Sequence, residues 1–176
     1  MRRPIAALSL AALALLAPVL PAAVRAQDEP QKVLESTSTG LNLAAIEAKV
    51  AQGDAAAADG KLAQAKADYD QARVGAQNLA RFYRNLSGAF RGLDARIPRE
   101  MDDKGRQALE LQANIDLRLA AVLRRLNQPE VAVPLLVEVV QIMTPSSPQG
   151  QKAYQTLVEL GFVTTPYAGG TAPAGS

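Results

Sequence analysis

Four breaks divide residues 41–162 into five stretches, each with the composition and apolar period of a helix. The breaks are Asp59-Gly60, Ile97-Pro98, Asn127-Gln128-Pro129 and Ser147-Pro148, and each carries the Gly or Pro that ends or opens a helix. Between them Ala, Leu, Gln, Arg and Lys dominate, residues that lose little on entering a helix. No sustained apolar/polar alternation appears. The expected fold class is all-α: antiparallel helical hairpins forming an array or bundle of about five helices. Asn42 is placed to cap the first helix, which runs to about Ala58. Lys61 opens the second, which continues to Ile97-Pro98. The third begins near Glu100, where Asp102 and Asp103 suit the positive end of a helix dipole, and ends at Leu126. Pro129 fits the first turn of the fourth helix. Pro134 lies deeper, where a proline costs about 3 kcal/mol, and predicts a kink or a late start. Ser147-Pro148 opens the fifth helix, and Gly161 with Phe162 closes it.

Helical spacing assigns the core. In the second helix Leu79, Phe82, Tyr83, Leu86, Phe90 and Leu93 fall in one arc. In the third, Ala108, Leu111, Ile115, Leu119, Val122, Leu123 and Leu126 share a face, opposite Glu110, Asn114, Arg118 and Arg125.

The first residues read as a signal peptide, residues 1–26. Arg2 and Arg3 precede an apolar run from Ile5 to Ala17, shorter than the roughly 20 residues of a spanning helix. Val24-Arg25-Ala26 offers a cleavage site before Gln27; an uncleaved anchor is the competing reading, disfavoured by that length. Without residues 1–26 the chain has 16 basic and 17 acidic side chains, so the +2 balance of the whole is no sign of nucleic-acid affinity. The compartment expected is outside the cytosol, a bacterial periplasm or a thylakoid lumen. Residues 27–40 read as a flexible lead-in, 41–162 as the helical domain and 163–176 as a disordered tail. The chain has no His and no Cys, which excludes His- or Cys-dependent nucleophiles, zinc sites built on those ligands, and disulfides.

Gly53, Gly60, Ala65, Tyr69 and Ala72 recur in kind at Ala120, Leu123, Ala132, Leu136 and Val139. Small residues stand where two helices would cross closely, with a large residue packing beside them. On these residues, 46–79 and 113–146 resemble tetratricopeptide-type helix pairs. The departures are Lys49 and Asp116, which occupy the position usually held by an aromatic near the repeat start, and the intervening segment, which does not fit. The resemblance implies a protein–protein interaction scaffold whose groove is lined by the first helix of each pair. It places Asn114, Leu117, Ala121, Arg124 and Arg125 on that groove in the second copy, and Glu47, Val50, Asp54, Ala57 and Ala58 in the first. The lysine and asparagine pattern that grips a terminal carboxylate is missing at Val50, Ala51 and Asp54, so no such clamp is inferred. A second, fainter resemblance is to the extrinsic helical-bundle subunit on the lumenal side of photosystem II.

Arg73, Arg81, Arg84 and Arg91 fall within about 80° of one another at helical spacing. They suit an acidic partner protein or an anionic membrane face; the plainer reading is a solvated face neutralised by neighbouring acids. The close acid pairs Asp68/Asp70 and Asp102/Asp103 carry little promise as catalytic carboxylates: the first point to different sides of a helix, the second suit a helix start. No catalytic, cofactor or metal residue is therefore nominated. The function expected is an exported, non-enzymatic helical adaptor whose protein partner is acidic or membrane-associated, with no nucleic acid and no spanning segment in the mature chain. The alternative is an extrinsic subunit stabilising a membrane complex.

Overall fold

The computed structural model describes residues 41–167. The expected signal segment, the lead-in and the last part of the tail lie outside the described residues. Five helices, α1 (Leu43–Ala58), α2 (Leu62–Phe90), α3 (Arg96–Arg125), α4 (Pro129–Met143) and α5 (Pro148–Glu159), make up the described chain. Helices account for 80% of it and no strand occurs among the described residues. No helix there is long and apolar enough to cross a membrane.

The helix ends follow from local chemistry. The Asn42 carboxamide accepts from the Ala44 and Ala45 amides at 2.9 and 3.4 Å, satisfying donors that the first turn leaves free. At the other end Gly60 takes φ +77°, and the Lys61 amide returns to the Ala56 carbonyl at 2.8 Å. The end of α3 uses the same return, from Gln128 to Leu123 at 2.9 Å, with Asn127 in the left-handed region. Ser147 caps α5 through the Gly150 amide at 2.9 Å.

The expected boundary between the second and third helices needs correction. The second helix ends at Phe90, not at Ile97-Pro98, because the chain turns over Arg91-Gly92 with Gly92 at φ +84°. Pro98 instead lies in the first turn of α3, where its missing amide hydrogen has no intrahelical partner to lose. Asp102 and Asp103 consequently fall beyond the first turn. Of the two outcomes expected at Pro134, the late start does not occur: α4 begins at Pro129 and runs through that residue. Among the described residues after α5, which end at Tyr167, several contacts hold the chain to the fold. Val163 packs on the core, the Tyr154 hydroxyl donates to the Thr165 carbonyl at 2.8 Å, and the Tyr154 and Tyr167 rings meet edge to face at 6.1 Å.

Each helix packs on the next, and α3 also approaches α1 and α5. The Arg118 guanidinium on α3 bonds Asp54 on α1, and Arg124 on α3 bonds Glu159 on α5. On the other side, Arg73 of α2 reaches Glu138 of α4. The core between these layers is dominated by Ala65, Ala72, Ala76, Leu79, Ile115, Leu119, Leu123, Ala132, Leu136 and Val139. Ala65 and Ala132 are both fully buried.

The expected apolar arc of α2 is only partly core. Leu79 is buried, but Phe82 is 39% and Leu93 79% exposed. The reason is length: α1 has 16 residues and α4 has 15, against 29 and 30 in α2 and α3. Being antiparallel to their neighbours, the short helices cover α2 to about Ala80 and α3 from about Ala108. The remainder of the α2–α3 hairpin has only its own second helix to pack on.

Gly53 and Tyr69 fix the α1–α2 crossing. A Cβ added at Gly53 would lie 2.6 Å from Cε1 and 2.7 Å from Cδ1 of the Tyr69 ring. That ring is 2% exposed, and its hydroxyl is held at 2.6 Å by Asp54, so it has nowhere to retreat. Gly53→Ala, which in an open helix stabilises by up to about 1 kcal/mol, is expected here to destabilise by about 1–3 kcal/mol through overpacking. Chemical denaturation of the variant measures this, and adding Tyr69→Leu should recover part of the loss.

Candidate functional site

The largest concentration of buried charge lies between α2, α3 and α4. Arg73 was grouped by spacing with three exposed arginines, yet its side chain turns inward and is only 24% exposed. Its Nε donates to Asp116 Oδ1 at 2.6 Å, and its terminal nitrogen Nη2 to Glu138. Gln112 donates to the other Glu138 oxygen at 2.7 Å, with Gln77 at 3.4 Å beyond. Asp116 is fully buried, and its Oδ2 has no hydrogen-bond partner. Burial pushes the Asp116 carboxyl up to about 6, against the pull of the Arg73 guanidinium. Burial likewise opposes the charge on Arg73, but the two carboxylates outweigh it and keep the guanidinium firmly protonated. Arg73 is therefore a structural cation, unavailable to a partner. Sequence spacing missed this because Asp116 and Glu138 lie 43 and 65 positions away.

A second feature is open. On the side formed by the odd-numbered helices, α3 and α5 diverge to leave a cleft of about 450 Å³. Asn114, Leu117, Arg118, Ala121 and Arg124 form its α3 wall, Lys152 and Thr156 its α5 wall, and Ala120 and Leu136 its floor. Four of these, Asn114, Leu117, Ala121 and Arg124, are residues that the repeat spacing placed on a groove. Lys152 and Arg118 were not nominated for a groove: the fifth helix was read only through its two ends, and Arg118 only as one polar position opposite the core face. Three cations thus border one hollow. Arg118 bonds Asp54 at 3.1 Å and Arg124 bonds Glu159 at 3.3 Å, both between side chains more than 40% exposed, where such pairs are worth little and exchange readily. Lys152 has no carboxylate within ion-pair distance among the described residues.

The remaining nominations separate. Arg125 does not line the cleft; it donates to the Ala57 carbonyl at 3.0 Å and so ties α3 to the last turn of α1. In the first copy Val50 is 7% exposed and belongs to the core, because the crossing with α2 covers it. Asp54 is occupied by Tyr69 and Arg118. Arg81 and Arg84 are exposed on the outer part of α2 and Arg91 in the turn that follows it, and none of the three lines the cleft. The acid pairs do not converge: Asp68 is held by Lys49 and Gln64, and Asp70 by Lys66. Asp102 accepts from the Ser87 hydroxyl, while Asp103 pairs with Arg106.

Comparison with protein-family models, with curated proteins and with solved structures finds no match to this chain.

The Asp116 environment has a measurable signature. Its folded-state value of about 6 is above the ordinary 3.8, so the folded chain holds this proton more tightly than the unfolded one. The associated stability is fully present below the unfolded value and is lost as pH rises through about 6. Asp116→Asn removes that dependence. Urea titrations at pH 4.5 and 7 should show the parent gaining about 2 kcal/mol more than the variant on acidification.

Proposed function

We propose that the chain is an exported, non-enzymatic scaffold that receives an extended acidic segment of a partner protein in the α3–α5 cleft. The observation that carries this reading is the convergence of Arg118, Arg124 and Lys152 on one hollow that Asn114, Leu117 and Ala121 also line. Rigid helices hold these groups in place before binding, which lowers the ordering cost of association. A carboxylate from the partner takes over Arg124 or Arg118 from its exposed intramolecular acid and adds Lys152, which has none. Asn114 supplies an amide for the partner backbone, and Leu117 with Ala121 an apolar strip between the polar anchors. The recognition is then electrostatic in register and modest in apolar area, with no bond made or broken.

The helix pairing supports the same reading. Small residues at Gly53, Ala65, Ala120 and Ala132 are buried at helix crossings, as in the tetratricopeptide-like arrangement that the sequence resembles. In that arrangement the first helices of successive pairs line the ligand groove, the role that this reading gives to α3 and α5. Export rests on the first 26 residues and is part of the proposal.

Fluorescence anisotropy with a labelled extended Glu-rich peptide and a Lys-rich control tests this directly. The acidic peptide should bind more tightly, and Arg124→Glu or Lys152→Glu should weaken it by about tenfold or more. Equal affinity for both peptides, or an acidic peptide indifferent to both substitutions, refutes the reading.

A further inference from the structure

The outer end of the α2–α3 hairpin, beyond the stretch that α1 and α4 cover, is charged in an unbalanced way. Residues 81–106 contain seven basic and four acidic side chains, and every acid is engaged. Asp94 pairs with Arg96, Glu100 with Lys104 and Asp103 with Arg106, while Asp102 accepts from the buried Ser87 hydroxyl. Arg81, Arg84, Arg91 and Arg99 are left with no carboxylate within ion-pair distance among the described residues. All four are exposed.

The apex between the helices presents Leu93, 79% exposed. The turn that carries it is fixed: the Leu93 and Asp94 amides both return to the Phe90 carbonyl, at 3.0 and 3.3 Å, and Gly92 supplies the left-handed step. An apolar side chain is thus held outward at the tip of a two-helix projection, with unpaired guanidinium groups behind it. Beside the tip, a hollow of about 270 Å³ places Arg84 and Arg91 next to the apolar Met101 and Leu109. Asp102 and Arg106 also border this hollow, each already engaged as described.

We propose that this end of the hairpin docks on an anionic phospholipid surface, with Leu93 entering the headgroup region and Arg84, Arg91 and Arg99 meeting lipid phosphates. The shape favours lipid over an acidic polypeptide. Two helices and a turn make a convex end with no third wall to enclose a chain, whereas a bilayer is itself the complementary face. The apolar apex also has no use for a carboxylate, but it has one for the acyl boundary. Guanidinium groups beside an apolar hollow fit an amphiphile, with phosphate at the cations and hydrocarbon against Met101 and Leu109. This surface shares no residue with the cleft, so either assignment stands without the other.

Vesicle flotation tests the proposal, using the full chain with phosphatidylcholine alone and with phosphatidylglycerol admixed. The segment before residue 41 is common to every variant, so differences between variants carry the result. The parent chain should partition preferentially to the anionic vesicles and be released by high salt. Arg84→Gln and Arg91→Gln should each lower that partition about fivefold, Arg91→Lys should retain it, and Leu93→Ser should lower it about tenfold. These side chains are exposed and unpaired, and unchanged far-ultraviolet circular dichroism will establish that the variants are folded. Equal partition to both vesicle types, or partition untouched by the Arg84, Arg91 and Leu93 changes, overturns the proposal. Capture of soluble polyglutamate in a manner dependent on Arg84 and Arg91, with no vesicle binding, overturns it in favour of a protein surface.

Discussion

Where the helices cross, the residues between their backbones are mostly alanines: Ala65, Ala72, Ala113, Ala120, Ala132 and Ala153 each expose 1% or less. Side chains this small let neighbouring axes approach closely, and they let larger ones such as Leu79, Ile115, Leu123 and Leu136 fill the space alongside. An alanine buries little apolar area by itself, so the stabilisation is spread over many close contacts instead of a few large ones. Such a core tolerates enlargement poorly, since a single added methylene has no cavity to enter. Every other feature depends on this spacing. The cleft exists because α3 and α5 are both tied to α4 while diverging from each other, and the outer hairpin exists because α2 and α3 alone outrun their neighbours.

Burying the Arg73 carboxylate pair does a different job. Taking a guanidinium and a fully buried carboxylate out of water is expensive, and their attraction returns only part of the cost. What the trio supplies is mutual position: Arg73 on α2, Asp116 on α3 and Glu138 on α4 meet only if all three helices are in one sliding register. Gln112 closes the remaining Glu138 position. Removing a single member would strand a buried charge, so the arrangement penalises every register but one.

Helix number, caps and the crossing residues were legible because they depend on neighbours in sequence. Asn42, Gly60, Asn127, Ser147 and Gly161 act within six residues of themselves, and Pro129 within its own turn. Proline at Ile97-Pro98 misled because the residue type suits both a helix end and a helix first turn; Gly92, six positions before Pro98, decided the matter through a positive φ. The apolar arc of α2 misled for another reason. Periodicity reports which face is apolar, but only the lengths of α1 and α4 decide how far along the face has a neighbour. Asp116 and Arg73 lay beyond local reasoning altogether, since each reads as an ordinary polar position until three helices bring them together. Four of the cleft residues were legible from repeat spacing, whereas Lys152 required knowing that α5 faces α3.

The unequal helix lengths also set how the fold distributes its rigidity. Helices of 29 and 30 residues span about 43–45 Å at 1.5 Å per residue. Their inner portions are clamped by α1 on one side and α4 on the other, whereas their outer portions form a cantilever supported along a single seam. Local opening free energy follows packing density, so thermal fluctuation concentrates at the free end and dies away toward Ala80 and Ala108. The molecule therefore behaves as a stiff block carrying a compliant arm, able to absorb a change in angle at its far end without disturbing the geometry at its base.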